Sequence, residues 1–394
     1  MALSSPPRVA ALVLACACAA TAACSGSSSD ADVAPVQAGG GGDAATEAGP
    51  DYADPSAHFD PAAVKELEDS GVTKYLGRFT PSDQHGDGPV YYTFAPDKAG
   101  PICINGSPFR LSVSVGSSDD LLIYLEGGGA CWTGACNARP ETYGVPLPIG
   151  WCDRHQGPLA GFNLVYVGFC DGSVFAGDSE VPDAVNGAPD GIRYHHGAQN
   201  LSAALDLAKK RFPNPRRIVL AGSSAGGYGT ILGTVLARVQ WPDRKLFVVN
   251  DAGLGLFNPS DPQTWATIER EWDLTPRIPA SCPDCLKGEL TQLIGWALEH
   301  DPTLRVAGFS FYEDAIISDG FLGMSGPDFR TLLMAQTGKV HDAYPDRFER
   351  FFVDGTTHTA IIGGYYDLKL DGVLLTDWTA RMIDARSDWN DLLQ

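Results

Sequence analysis

One segment of the sequence carries residue types in an order that can do chemistry. Gly222-Ser223-Ser224-Ala225-Gly226-Gly227 follows the apolar run Ile218-Val219-Leu220-Ala221 and precedes Ile231, Leu232, Val235 and Leu236, which are apolar at helical spacing. Glycines two places either side of a serine let the chain turn sharply from a strand into a helix, so that Ser224 projects as a nucleophile at a helix N-terminus. A serine hydroxyl attacks an acyl carbonyl only when a base takes its proton, and the base needs an acid to orient it. The alternative is a glycine-rich turn whose serine merely caps the helix.

The base is sought among eight histidines. Elbows of this kind run serine, acid, histidine along the chain, which leaves His300, His341 and His358. His300 ends a helical pattern beside Asp301, where a capping or surface role fits, and His341 sits in a polar stretch ending at Pro345. His358 follows the apolar run 351–353 through Asp354-Gly355-Thr356-Thr357, where a loop should leave the end of a strand. The acid should follow the preceding strand, and the run 306–311 leads through Tyr312 into Glu313 and Asp314. Asp314 is the choice. Glu313, Asp251 and Asp319 are alternatives, otherwise read as loop carboxylates bonded to backbone amides.

A carbonyl under attack also needs N–H donors for its oxygen. The amide of Ala225 is one. The other is expected from Glu126-Gly127-Gly128-Gly129-Ala130-Cys131-Trp132, after the apolar run 121–125, with Gly128 as donor and Gly127 and Gly129 allowing close approach. Gly127 and Gly129 are also expected beside the substrate pocket, and Trp132, Trp151, Phe175 and Tyr228 are aromatic candidates for its lining, set against the alternative of ordinary core packing. No zinc-ligand spacing or phosphate loop is present, so no metal or organic cofactor is expected.

These residues need a scaffold that brings loop ends together. Short apolar runs at 121–125, 164–169, 218–221, 246–249, 306–311 and 351–353 read as buried parallel strands. Leu201, Ala204, Leu205 and Ala208, and then Leu286, Leu290, Leu293, Ile294 and Ala297, give helical faces between some of them. Alternating strands and helices imply an α/β fold of the α/β-hydrolase kind, a mostly parallel sheet flanked by helices, with ligands beyond the carboxyl ends of the strands.

The chain has 394 residues, 28 basic against 48 acidic, for a net charge of −20. Phosphate binding needs clustered cations, so nucleic acid is excluded as a partner, as is an anionic membrane surface. With 44% hydrophobic residues the core is sizeable, and 45 glycines and 28 prolines promise many loops. Arg8 precedes an apolar stretch at 9–23, too short to span a bilayer, in the pattern of a secretory signal. Thr21-Ala22-Ala23-Cys24-Ser25 resembles a bacterial lipoprotein cleavage site with Cys24 lipidated, against ordinary cleavage and release. Residues 1–24 are therefore read as a signal peptide and 25–60 as an acidic Gly/Ser/Ala linker with no Lys or Arg, too poor in apolar surface to fold. Residues 61–394 are read as the catalytic domain. The only membrane contact expected is through the lipid anchor. Export permits disulfides. Cys282-Pro283-Asp284-Cys285 reads as a small disulfide loop rather than a metal or redox site, because no second pair or suitably placed His accompanies it. The body has seven cysteines, so at least one is left over or pairs between chains.

Beyond these local readings, the chain from about residue 85 to its end resembles the pectin acetylesterases and the related Notum carboxylesterases. The resemblance lies in Leu125-Glu126-Gly127-Gly128-Gly129-Ala130-Cys131-Trp132, Cys170-Asp171-Gly172-Ser173-Val174-Phe175-Ala176-Gly177-Asp178, the Ser224 elbow and Asn250-Asp251-Ala252-Gly253. The Asp314 loop looks like the family's acid loop, and Asp377-Trp378 is similar to its terminal helix. The resemblance implies a Ser224-Asp314-His358 triad that hydrolyses small acyl esters, commonly acetyl groups on a polysaccharide such as pectin. It also implies Cys131–Cys136 and Cys103–Cys170 disulfides, with Cys152 unpaired. The family's plant members usually carry an aromatic after the glycines, where this chain has Gly129-Ala130 before Trp132. That bears on substrate more than on mechanism. A broad carboxylesterase or lipase-like deacylase, a peptidase on the same residues, and a glycan-binding surface lipoprotein without catalysis are the competing expectations.

Overall fold

A computed structural model of the chain describes residues 52–183 and 190–394. The segment 1–24 with Cys24, and the linker as far as residue 51, lie outside the described residues. Residues 52–60, read from the sequence as linker, pack on the body. Ala57 and Phe59 are buried, Asp54 pairs with Lys245, and the Asp60 side chain caps α1 (Pro61–Asp69). Two buried apolar side chains hold a segment whose composition is otherwise that of a spacer.

The sheet has ten strands: β1 (Asp83–His85), β2 (Val90–Phe94), β3 (Phe109–Ser114), β4 (Leu121–Leu125), β5 (Asn163–Val167), β6 (Arg217–Ser223), β7 (Lys245–Asp251), β8 (Arg305–Phe311), β9 (Phe348–Val353) and β10 (Leu392–Leu393). Their order across the sheet is β1-β2-β3-β5-β4-β6-β7-β8-β9-β10. Every pairing from β5 to β10 is parallel, while β1, β2 and β3 add on by antiparallel pairing, β3 against β5. The α/β expectation therefore holds, with an antiparallel edge that the apolar runs do not announce.

The reason the six predicted runs are continuously apolar is visible in the packing. Leu121, Ile123, Leu125, Ile218, Leu220, Leu246 and Val248 enter a core on one face. Their neighbours Leu122, Tyr124, Val219, Ala221, Phe247 and Val249 enter a separate core on the other. A strand covered on both faces has no position to spare for polar residues. The first face is covered mainly by α2 (Gly197–Arg211), α3 (Ala225–Gln240), α4 (Pro262–Trp272), α5 (Thr291–His300) and α6 (Gly326–Ala343), whose buried side chains join that core. Among the described residues the second face has only α7 (Leu375–Ile383), supplemented by irregular segments carrying Trp151, Leu159, Phe162, Ala360 and Tyr365. The helical pattern from Leu286 to Ala297 is not one helix. Gly288, at φ 96°, separates a short turn at Cys285–Lys287 from α5.

Disulfides join Cys103 to Cys170, Cys131 to Cys136 and Cys282 to Cys285, leaving Cys152 as a buried thiol. Bonds of this kind persist outside the reducing cytosol. No helix among the described residues is long and apolar enough to cross a membrane.

Candidate active site

The turn from β6 into α3 puts Ser224 at φ 57° and ψ −120°, a conformation that non-glycine residues rarely adopt. Its glycines are there for lack of space. A Cβ on Gly222 would stand 2.2 Å from the Gly226 carbonyl oxygen, and one on Gly226 would stand 2.0 Å from that of Leu125. The turn is braced from the neighbouring strand, where the Asp251 carbonyl accepts from the Ser224 amide at 2.8 Å. Gly227 presses on Gly253 in the loop after β7, a loop tied down by the Asn250 side chain, which bonds Gly227 and both backbone groups of Gly253.

The glycine run after β4 passes directly over this turn. A Cβ on Gly127 would lie 3.0 Å from the Ser224 Cβ, and one on Gly128 would meet the Phe169 ring at 2.4 Å. Gly129 takes φ 85°, and the Gly128 carbonyl accepts from the Arg139 amide, so its oxygen is committed elsewhere. Ala225 opens α3, where backbone N–H groups have no helical acceptor.

Asp314 and His358 meet beyond the ends of β8 and β9. Asp314 Oδ2 lies 2.7 Å from His358 Nδ1, while Oδ1 accepts from the amides of Ile316 and Ile317 at 3.0 and 3.1 Å. Asp314 is fully buried, and His358 nearly so. A carboxylate on Nδ1 requires the proton there and leaves Nε2 as the basic nitrogen. Nε2 is buried and has no hydrogen-bond partner, so Ser224 and His358 are not bonded to each other in this conformation. Glu313 turns the other way and packs its side chain against Gly326. His300 ends α5 beside Asp60, and His341 lies in α6 with Nδ1 on the Phe348 carbonyl.

Asp251, at the end of β7, connects the parts. Its Oδ2 accepts from the Ser223 hydroxyl at 2.6 Å and the Trp151 indole at 2.9 Å, and its Oδ1 accepts from the Ala360 amide at 2.9 Å. Tyr124 donates to the same Ser223 hydroxyl at 3.0 Å. One buried carboxylate thus ties the Ser224 turn to the loop bearing His358. Burial pushes its carboxyl above the usual range, opposed by the bonds from Ser223, Trp151 and Ala360.

Ser224 opens into a small pocket of about 30 Å³, lined among others by Gly129, Val174, Ala225, Tyr228, Ile316, Ile317 and Phe321. Of the expected pocket residues, Gly129 and Tyr228 line it and Gly127 abuts Ser224. Trp132 and Phe175 do not. Trp132 stacks edge-on behind Phe321, and Phe175 is fully buried against Phe169. Trp151 is core, with its indole on Asp251. The sequence reading missed Val174, Ile316, Ile317 and Phe321. The last three lie in or bound a π-helical turn, Ile316–Phe321, and the run Ala315-Ile316-Ile317 after the acid was the available signal.

Among the described residues, one group of metal-ligating side chains gathers: His341, Glu349 and Asp391. It lies at the other end of β9 from the His358 loop. Arg350 already holds Asp391, and the Phe348 carbonyl already holds His341 Nδ1.

A mostly parallel sheet with helices on both faces, a serine at a strained strand-to-helix turn and a buried His–carboxylate pair beyond the next strands define an α/β-hydrolase-like protein. The pectinacetylesterase family model matches residues 156–273. Pectin acetylesterase 11 of Arabidopsis thaliana is 26% identical over 225 residues, 51% of this chain and 56% of the relative. Pectin acetylesterase 7 of the same plant is 29% identical over 182 residues, 42% and 45% of the two chains, and pectin acetylesterase 4 is 30% identical over 172 residues, 39% and 41%. The chain spans about half the length of the curated relatives it matches. The segment similar to the family model contains Ser224 and Asp251 but stops short of Asp314 and His358.

Proposed function

We propose that this protein is a serine carboxylic-ester hydrolase that removes small acyl groups, acetyl above all, from a polysaccharide such as pectin. The observation that carries the reading is the Asp314–His358 bond at 2.7 Å beside an elbow serine that opens into a small pocket. The similarity to pectin acetylesterases supports the substrate class.

In this reading the Ser224 oxygen attacks the acyl carbonyl while His358 Nε2 takes its proton. Asp314 keeps the other proton on Nδ1 and stabilises the charged imidazole. The oxygen of the tetrahedral intermediate receives N–H bonds from Ala225 and Gly128. The C–O bond to the sugar breaks as His358 returns its proton to the departing hydroxyl, leaving the acyl group on Ser224. Water, deprotonated by the same imidazole, then releases the carboxylic acid and restores the serine. No step calls for a metal or organic cofactor. Export of the chain and a lipid anchor at Cys24, with residues 25–51 as a spacer, complete the proposal. The three disulfides agree with export.

The test is acetate release from acetylated pectin and xylan, beside short- and long-chain aryl esters, by the parent and by Ser224→Ala. Release from polysaccharide that vanishes in the variant is the expected result. Aryl ester turnover without polysaccharide release would keep the serine chemistry and remove the pectin assignment. No serine-dependent turnover at all would favour a glycan-binding protein.

A further inference from the structure

The pocket at Ser224 ends against Val174 and Tyr228. Behind them lies a second cavity of about 40 Å³, with Ile231, Leu232, Trp272, Leu274 and Leu293 in its wall. Among the described residues, Val174 and Tyr228 are the only ones the two linings share. The front space holds the nucleophile and the small hind space is almost wholly apolar, so two side chains are what separates a reacting carbonyl from further apolar space.

The backbone shows that one of these side chains is kept at a cost. Val174 takes φ 51° and Phe175 φ 64°, so two successive non-glycine residues are left-handed. For a β-branched residue that conformation is an outlier, and glycine would occupy it freely. The turn is enforced by the fully buried Asp171, whose Oδ1 accepts from the Ser173 amide at 2.7 Å, the Ser173 hydroxyl at 2.7 Å and the Phe175 amide at 3.2 Å. Tyr228 is fixed as well, its hydroxyl donating to the Leu256 carbonyl at 2.8 Å and its ring set edge-on to Phe321. A valine where the backbone favours glycine has its side chain to account for it, and that side chain stands between the two cavities.

We infer that Val174, with Tyr228 beside it, sets the length of the acyl group this site accepts, by closing the nucleophile pocket off from the hind cavity. The inference rests on the ester-hydrolase reading above and specifies its acyl side. An acetyl group ends before the partition. A longer chain meets the valine, although apolar space lies immediately beyond.

The test is Val174→Gly, which removes the partition and also relieves the positive φ, with Val174→Ala as the milder opening. The readout is the ratio of kcat/KM for the hexanoyl aryl ester to that for the acetyl ester. Each methylene newly buried is worth about fourfold, so the ratio should rise at least tenfold in Val174→Gly and less in Val174→Ala. An unchanged ratio, or a parent that already prefers hexanoyl to acetyl, overturns the inference. Octanoate binding, followed by calorimetry, separates this from failure of the esterase reading, since it needs no turnover. Tighter binding by Val174→Gly than by the parent supports the partition even in a protein without serine-dependent activity, and equal binding refutes it.

Discussion

Ser224 holds its side chain over the sheet in a backbone conformation that costs about 1–3 kcal/mol for a residue with a Cβ. Two substitutions that both remove the Ser224 hydroxyl should therefore differ in stability. Ser224→Ala keeps the Cβ and the strain, whereas Ser224→Gly loses both. The flanking bonds, from the Ser224 amide to Asp251 and from the Tyr228 amide to the Ser224 carbonyl at 3.1 Å, are made by backbone and survive in either variant. Against the relief stands the extra freedom of glycine in the unfolded chain, about 0.5–1 kcal/mol. The difference leaves Ser224→Gly more stable than Ser224→Ala by up to about 2 kcal/mol. At an ordinary position, Ala→Gly would cost about 1 kcal/mol. The unfolding entropy of a domain this size is roughly 0.7 kcal/mol per kelvin, which makes the expected gain about 1–3 °C in melting temperature. Paired urea and thermal unfolding of the two variants measure it. A glycine variant less stable than the alanine variant by about 1 kcal/mol would mean that the turn stores no strain, and the account of the elbow would be wrong.

Two further outcomes follow from buried carboxylates. In Asp251→Asn one acceptor oxygen becomes an N–H donor, and whichever way the amide faces it confronts a donor among Trp151, Ser223 and Ala360; urea titration should show a loss of about 1–3 kcal/mol. Because the Ala360 bond holds the His358 loop, serine-dependent kcat should fall with it while KM changes little, and an unaltered kcat would deny Asp251 any hold on that loop. Burial, together with the neighbouring Asp391, pushes the Glu349 carboxyl up to about 9, with Arg350 and His341 also facing it. The folded state then binds a proton that the unfolded chain has lost above its ordinary pKa near 4.5, so this group's contribution to stability is present below that value and declines as pH rises toward 9. Glu349→Gln should flatten that decline between pH 5 and 8, and the same slope in both proteins would show that Glu349 is not its source.

What could be read from the residues was what depends on near neighbours. The Gly222–Gly226 spacing is legible because the close approaches it permits are local to one strand and one helix. The parallel strands are legible because covering both faces leaves them uniformly apolar. His358 was reachable by chain order and by its place after an apolar run. The edge strands β1 to β3 escaped notice because Tyr91 and Tyr92, or Arg110 and Leu111, mix polar and apolar character in short antiparallel pieces. Trp132 and Phe175 misled because an aromatic near a glycine motif looks the same whether it faces a pocket or a core. Val174 was hidden for a deeper reason. Its place in the pocket wall comes from a left-handed backbone that Asp171 imposes, and nothing in the letter V signals a positive φ.

The parts of the site also differ in how far the chain must travel to bring them together. The Ser224 turn closes between β6 and α3, which are adjacent in sequence, whereas His358 arrives only when β9 has docked beside β8 and its loop has reached Asp251. Contacts across long stretches of chain form late, because loop closure must come before any contact repays it. In the proposed reading, recovery of serine-dependent turnover during refolding is therefore a report on the last strands to dock, and a probe of the first core will register a folded sheet before the site is assembled.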